Sequence, residues 1–261
     1  MKFEYNEFKV IENELNKEEL RFSESIMSLA NEYMGMRGNF EEKYSGDSLQ
    51  GTYIGGVWFP DKTKVGWWKI GYPEYFGKMI NSPNFIGIGV SIDGQELDLN
   101  VEDFVSYRRE LDMEKGLLKR SFEIKRSGKT FQIDVERFVS IDTKEICGIK
   151  YSVKAINSEA LVEFTPYLDA DVENEDSNYE EKFWQVLDRG AKENTGYLVS
   201  KTIENNFGVE RFAICNYMVS SLYSDQGQDG KFEAIVSNDS VLTRSGLKIG
   251  PGQSVSLEKI I

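Results

Sequence analysis

Apolar residues fall on every second position through much of this chain. In Phe131-Gln132-Ile133-Asp134-Val135-Glu136 the alternation is strict, and Val139 and Ile141 continue that face, while Arg137 interrupts it and Phe138 points the other way. Cys147, Ile149, Tyr151 and Val153 share one face of the next such stretch, with Lys150 and Ser152 opposite. Phe232, Ala234 and Val236 alternate with Glu233, Ile235 and Ser237, which predicts a strand buried on both sides. A period of two marks a β-strand, whose successive side chains leave opposite faces of the sheet. Turn dipeptides punctuate the strands: Asp93-Gly94 between 88–92 and 96–99, Ser127-Gly128 before 131–141, and Asp229-Gly230 before 232–236. Each glycine can supply the positive φ of a tight hairpin. Many short strands at this spacing predict an all-β fold, antiparallel and stacked as a sandwich. Two short helices are expected, one over 179–188 between Asn178 and Gly190 and one over 101–107. Nothing divides the chain, so 1–261 is read as a single domain. Its last residues, Val255 to Ile261, predict an apolar strand that is either a neat edge or the point where a longer chain was cut.

Composition narrows the chemistry. The 261 residues include no histidine. That excludes Ser-His-Asp and Cys-His nucleophilic sites and any imidazole-ligated zinc. Thirty-one basic residues against 44 acidic ones give a net charge of −13, which argues against a nucleic-acid backbone as partner. Sixteen Phe, 13 Tyr and 4 Trp supply a core and argue against disorder. No apolar run is long enough to span a membrane, and residues 1–20 lack the apolar centre of a signal peptide, so a cytoplasmic location is expected. In that setting the glycosylation sequon Asn238-Asp239-Ser240 carries no meaning. Cys147 and Cys215 are read as reduced core residues.

Three stretches could carry chemistry. Trp58, Phe59, Trp67, Trp68, Tyr72, Tyr75 and Phe76 lie among lysines, glycines, Pro60 and Pro73, a composition that predicts a long loop. Flat rings stack on sugar faces, so Trp58, Trp67, Trp68, Tyr72 and Tyr75 are candidate substrate contacts; they would equally pack on the sandwich or on another domain. Asp169, Asp171, Glu173, Glu175, Asp176, Glu180 and Glu181 crowd a second stretch. It faintly echoes a calcium loop but has Asn174 where that loop needs glycine, so no metal is expected; a carboxylate pair for glycoside chemistry stays open. In the run from Asn31 to Glu41, Gly35 and Gly38 bracket Arg37, which predicts a sharp bend or a backbone lying against another chain. No phosphate-cradling loop or dinucleotide fingerprint occurs, so no nucleotide cofactor is expected.

Several segments together resemble the N-terminal part of glycoside hydrolase family 65, whose bacterial members are mostly inverting phosphorylases of maltose, trehalose, kojibiose or nigerose. They are Glu24 to Gly38, Gly51-Thr52-Tyr53-Ile54-Gly55-Gly56, Gly71-Tyr72-Pro73-Glu74-Tyr75-Phe76, Asn81-Ser82-Pro83-Asn84, Tyr107 to Met113 with Gly116-Leu117-Leu118, Glu136-Arg137-Phe138-Val139-Ser140, and Asn174 to Trp184. They run in the family's order, and their details lean toward the kojibiose enzymes. Glu32 and Asp169-Ala170 depart from the pattern. The resemblance implies a large antiparallel super-sandwich of the galactose mutarotase type. It also implies a catalytic (α/α)6 barrel, absent from this chain, that bears the general acid and binds the phosphate co-substrate. On that reading the chain is a non-catalytic N-terminal domain, inactive alone. Its partners would be the barrel, a disaccharide and a second copy of the full protein. A carbohydrate-binding module using Trp67, Trp68 and Tyr72 is the alternative. A stand-alone mutarotase-like enzyme is disfavoured, since that chemistry usually relies on histidine.

Overall fold

The computed structural model describes residues 3–63, 71–175 and 181–261. In chain order the strands are β1 (Glu4–Tyr5), β2 (Lys9–Glu12), β3 (Leu29–Ala30), β4 (Met34–Met36), β5 (Thr52–Ile54), β6 (Trp58–Lys62), β7 (Tyr75–Met79), β8 (Ile88–Ile92), β9 (Gln95–Glu96), β10 (Asp103–Asp112), β11 (Leu117–Arg126), β12 (Lys129–Val139), β13 (Cys147–Ala155), β14 (Ala160–Asp169), β15 (Trp184–Lys192), β16 (Thr195–Thr202), β17 (Ala213–Ser224), β18 (Glu233–Val236), β19 (Ser240–Ile249) and β20 (Ser254–Ile260). A 3-10 turn over Lys17–Glu19 leads into α1 (Leu20–Ile26), the sole α-helix among the described residues.

A ten-stranded antiparallel sheet, in the order β1-β2-β10-β11-β12-β13-β20-β17-β16-β15, stacks on a five-stranded sheet ordered β18-β19-β14-β8-β9. The expected all-β sandwich is therefore present. Phe122, Ile124, Phe131, Ile133, Tyr151 and Val153 of the large sheet meet Val90, Ile92, Val162, Phe164 and Val241 of the small one, all buried. The Tyr151 and Phe164 rings meet edge-on across the gap at 5.7 Å. Each such side chain taken out of water contributes about 1.5–3 kcal/mol before entropy is counted. The turns at Asp93-Gly94 and Ser127-Gly128 have positive φ at both residues, as a two-residue hairpin requires.

Several expectations need correction, each for a physical reason. Residues 184–188 of the expected second helix belong to β15, residues 181–183 are not helical, and 176–180 lie outside the described residues. In the expected 101–107 helix, residues 103–107 open β10 instead. Both strands carry a register shift, between Phe104 and Ser106 and between Val186 and Asp188. An extra residue at a bulge breaks the period of two and leaves apolar residues three or four apart, which mimics a helix. The 58–76 stretch is not simply a loop, because β6 and β7 pair as a hairpin. Strand β18 is an edge strand with largely exposed side chains, not one buried on both sides. The positive φ near 229–230 belongs to Gly227 rather than Gly230. Ile141 lies beyond β12 and is 88% exposed. Cys147 is buried as expected, whereas Cys215 is exposed on β17; both are free thiols.

The strand at 254–260 is no edge. It runs through the middle of the large sheet, pairing with β13 on one side and β17 on the other. Its Lys259 side chain points inward and is fully buried. The ammonium donates to the carbonyl oxygens of Phe85 (2.6 Å), Tyr167 (2.7 Å) and Gly87 (3.0 Å), and so ties the large sheet to the strands of the small one.

At Gly38 the backbone lies against a segment of this same chain. A Cβ there would sit 2.7 Å from Met27 Cβ and 2.9 Å from its carbonyl oxygen, while Gly38 N–H donates to Glu24 O at 2.7 Å. Gly38→Ala is expected to destabilise the fold by about 1–3 kcal/mol through overpacking. Urea unfolding measures this, and an unchanged midpoint would show that the contact yields freely.

Candidate functional site

The inner face of the large sheet carries charge. Arg109 on β10, Arg120 on β11, Arg137 on β12 and Tyr151 on β13 all point inward and are buried. They clamp residues 37–42, which cross that face. Arg109 donates to Glu12 Oε2 (2.9 Å), to the Gly38 carbonyl (2.9 Å) and to the Ser23 hydroxyl. Arg120 donates to both oxygens of Glu42 (2.7 and 2.6 Å) and to Glu41 (2.7 Å). Arg137 bonds the Arg37 carbonyl (3.0 Å) and lies 3.2 Å from Glu41. Tyr151 donates to Glu42 at 3.0 Å. One turn of chain away, Glu24 accepts from Leu49 N–H (2.9 Å) and the Ser48 hydroxyl.

The electrostatics follow from this packing. Arg109 and Arg120 are direct cross-strand partners, a repulsive pair on its own. Glu12, Glu41 and Glu42 supply three carboxylates to the three guanidiniums. Burial alone would pull Arg120 down, but Glu42 and Glu41 outweigh it and raise its pKa. Burial, then the Glu42 charge, pushes the Tyr151 phenol well above its ordinary range. Glu12, Glu41 and Glu42 accept guanidinium hydrogens on this face. The layer holds the 37–42 segment in place.

Sequence reasoning passed over this layer, although a signal for it exists. Each charge sits in phase with buried apolar residues: Tyr107-x-Arg109-x-Leu111, Leu118-x-Arg120-x-Phe122, Val135-x-Arg137-x-Val139 and Val255-x-Leu257-x-Lys259. Arg137 does not interrupt its face; it belongs to it.

The candidate aromatic residues lie elsewhere. Trp58 on β6 and Tyr75 on β7 stack at 6.3 Å with 11° between planes. Trp58 also meets Phe212 at 5.9 Å, and Tyr75 meets Phe207 at 4.8 Å, so both rings are partly covered by the 205–212 connection. On the other face of the hairpin Phe59 packs on Phe183 at 4.8 Å, and Lys78 pairs with Asp61 at 2.6 Å. Tyr72 is half-buried in the connection, and Trp67 and Trp68 lie outside the described residues. Phe76 and Met79 remain 50% and 69% exposed.

The acidic stretch is tied down locally at its described residues; Asp176 and Glu180 lie outside them. Lys182 pairs with Asp171 and lies 3.7 Å from Glu173. Asn174 accepts from Asn81 N–H (2.9 Å) and donates to the Met79 carbonyl (3.0 Å), which docks the stretch on the base of the hairpin. Burial raises the pKa of Asp169, partly offset by the Asp171 N–H it accepts. Among the described residues no three metal-ligating groups converge, and no helix is long and apolar enough to cross a membrane.

Comparison with known proteins fits this architecture. The family model for the glycosyl hydrolase family 65 N-terminal domain matches residues 10–261. The chain is 53% identical over 218 residues to the maltose phosphorylase of Bacillus subtilis (strain 168), covering 84% of this chain and 29% of that protein. It is 31% identical over 255 residues to the alpha,alpha-trehalose phosphorylase of Thermoanaerobacter brockii, covering 92% and 32%. A solved structure assigned as a kojibiose phosphorylase from the human microbiome superposes with a TM-score of 0.80 at 23% identity, over 99% of this chain and 32% of that one. The chain thus spans about a third of the length of these relatives.

Proposed function

The chain belongs to the glycosyl hydrolase family 65 N-terminal domain family, and from that premise we propose that it is the non-catalytic domain of an enzyme that phosphorolyses an α-glucosidic disaccharide to glucose 1-phosphate and glucose. The match across residues 10–261, to only about a third of each phosphorylase, carries this reading. The inner-face guanidiniums support it, since they bind the chain's own 37–42 segment. Its role is to pack on a following (α/α)6 catalytic barrel, which binds phosphate and disaccharide, and to support a homodimer in the cytoplasm. The 58–76 stretch, with Trp58, Trp67, Trp68, Tyr72 and Tyr75, would contribute to the rim of the active site, and the exposed Phe76 and Met79 suit such a contact. Maltose is the favoured disaccharide, because the 53% identity to the maltose enzyme exceeds the 29% to the kojibiose phosphorylase of Thermoanaerobacter brockii.

Incubated alone with phosphate and maltose, kojibiose, trehalose or nigerose, the chain is expected to release no glucose 1-phosphate. Robust release from any of the four would overturn the non-catalytic assignment.

A further inference from the structure

We propose that the slot beside the first half of β17 is filled, in a longer protein, by the residues that follow Ile261, which run on from β20 as an extended strand. This rests on the reading that the chain is the first third of a larger enzyme, and it names the face to which the next segment is joined.

The pairing of β17 changes along its length. Its register with β16 runs from Ala213 to Val219, whereas its register with β20 runs only from Val219 to Ser224. Between Ala213 and Met218, no strand lies on the β20 side among the described residues. At about 3.3 Å per residue this leaves roughly 20 Å of open edge. The opening lies well inside the ten-stranded sheet, between strands that pair normally elsewhere, and not at its margin. An open edge offers unmatched amides and carbonyls, which is a template for one more strand.

Beside this edge lies a cavity of about 340 Å³. Ile214, Cys215 and Tyr217 of β17 line it, together with Tyr33, Ile54 and Ile146. The lining is reachable from solvent, since Tyr217 is 51% exposed and Cys215 is an exposed thiol. Its mostly apolar walls suit the alternating side chains of an extended segment, as its open edge suits the backbone.

The geometry favours the chain's own continuation over a second copy or a free peptide. Ile261 itself lines the cavity. It is still held as a strand residue: its N–H donates to the Cys147 carbonyl (3.0 Å) and its carbonyl accepts from the Cys147 N–H (3.1 Å). The backbone is therefore aimed along β17 rather than away from it. With Val219 opposite Ile260, the first residue past Ile261 would stand opposite Tyr217 and the third opposite Cys215. A segment tethered at this point competes at millimolar effective concentration, with no loop to close. The family model is an N-terminal domain, and the chain covers only 29% and 32% of the maltose and trehalose enzymes.

The test compares three proteins: this chain, the same chain extended by its next ten or so natural residues, and the full-length protein. Maleimide labelling of Cys215 and amide hydrogen exchange over 213–218 are read by peptide mass spectrometry. In this chain Cys215 is expected to label readily and the 213–218 edge to exchange fast. In the extended and full-length proteins both rates should fall about tenfold or more, while the buried Cys147 stays unlabelled in all three. Equal rates in all three overturn the proposal. Protection in the full-length protein but not in the extended chain also overturns it, because a remote domain is then the cover. So does protection of this chain that is lost on dilution, which makes a second copy the occupant, and so does a natural chain that stops at Ile261. A full-length protein without phosphorolytic activity would strike the functional reading and leave this comparison intact.

Discussion

Lys259→Met is expected to lower the unfolding free energy by about 3–5 kcal/mol, because it leaves buried carbonyls that each cost about 1–3 kcal/mol when unmatched. The ammonium serves Phe85, Gly87 and Tyr167 at once from the centre of the large sheet, and methionine fills the space without a single N–H. The same residue gives the protein a pH signature. Burial lowers its pKa from 10.5 to about 7. In the unfolded chain the lysine stays protonated to a much higher pH, so between those two values the unfolded state binds more protons. Stability should therefore rise with pH from about 7 to about 10.5, at a slope set by that proton difference. The cost of charging Lys259 is fully present below pH 7 and vanishes above the unfolded value. Comparing urea midpoints of the parent and Lys259→Met across this window isolates the effect from other lysines. Parallel pH profiles would show that Lys259 does not titrate there.

The second large effect is expected at Arg120. Arg120→Met leaves Glu42 with the Tyr151 hydroxyl but without its guanidinium, and leaves Glu41 to Arg137, inside the sandwich. Removing one partner of a buried ion pair costs about 3–5 kcal/mol, chiefly through the uncompensated charge. The double variant Arg120→Met/Glu42→Leu removes both charges and should recover a good part of that loss. A coupling of about 1 kcal/mol or more in the double-mutant cycle is expected, and strict additivity would mean that the two groups do not depend on one another.

How far the sequence reveals the fold depends on what each residue shows locally. Strands β12 and β13 are plain from alternation because their side chains follow the pleat without a break. Strands β10 and β15 are disguised because one extra residue at a bulge shifts the phase, and no single-residue signal announces a bulge. Helix α1 went unseen because it is only seven residues long and its N-cap residue, Glu19, makes no side-chain capping bond. The central place of β20 could not be read, since pairing partners more than a hundred residues apart leave no local trace. The candidate aromatics were legible as a cluster, yet which ring faces the chain's own Phe207 and Phe212 depends on a connection far downstream. The segments that carry the family resemblance tell the most. Arg37, Gly38, Arg109 and Arg137 of those segments all lie in or against the buried charged layer. Charged residues usually face water, whereas here they hold one segment against a sheet.

The interior position of β20 bears on how the protein is made. A ribosome must deliver nearly all of the described chain before the gap between β13 and β17 can close. Until then two long strands flank an empty slot, each with a row of unsatisfied amides that could recruit a neighbouring nascent chain. Pairings of such sequence separation also form slowly, since the loop entropy is spent before any bond is gained. A chain stopped a dozen residues early would not be a slightly shorter domain but a split sheet, so newly made copies should be most vulnerable to aggregation and proteolysis just before residues 254–260 leave the exit tunnel.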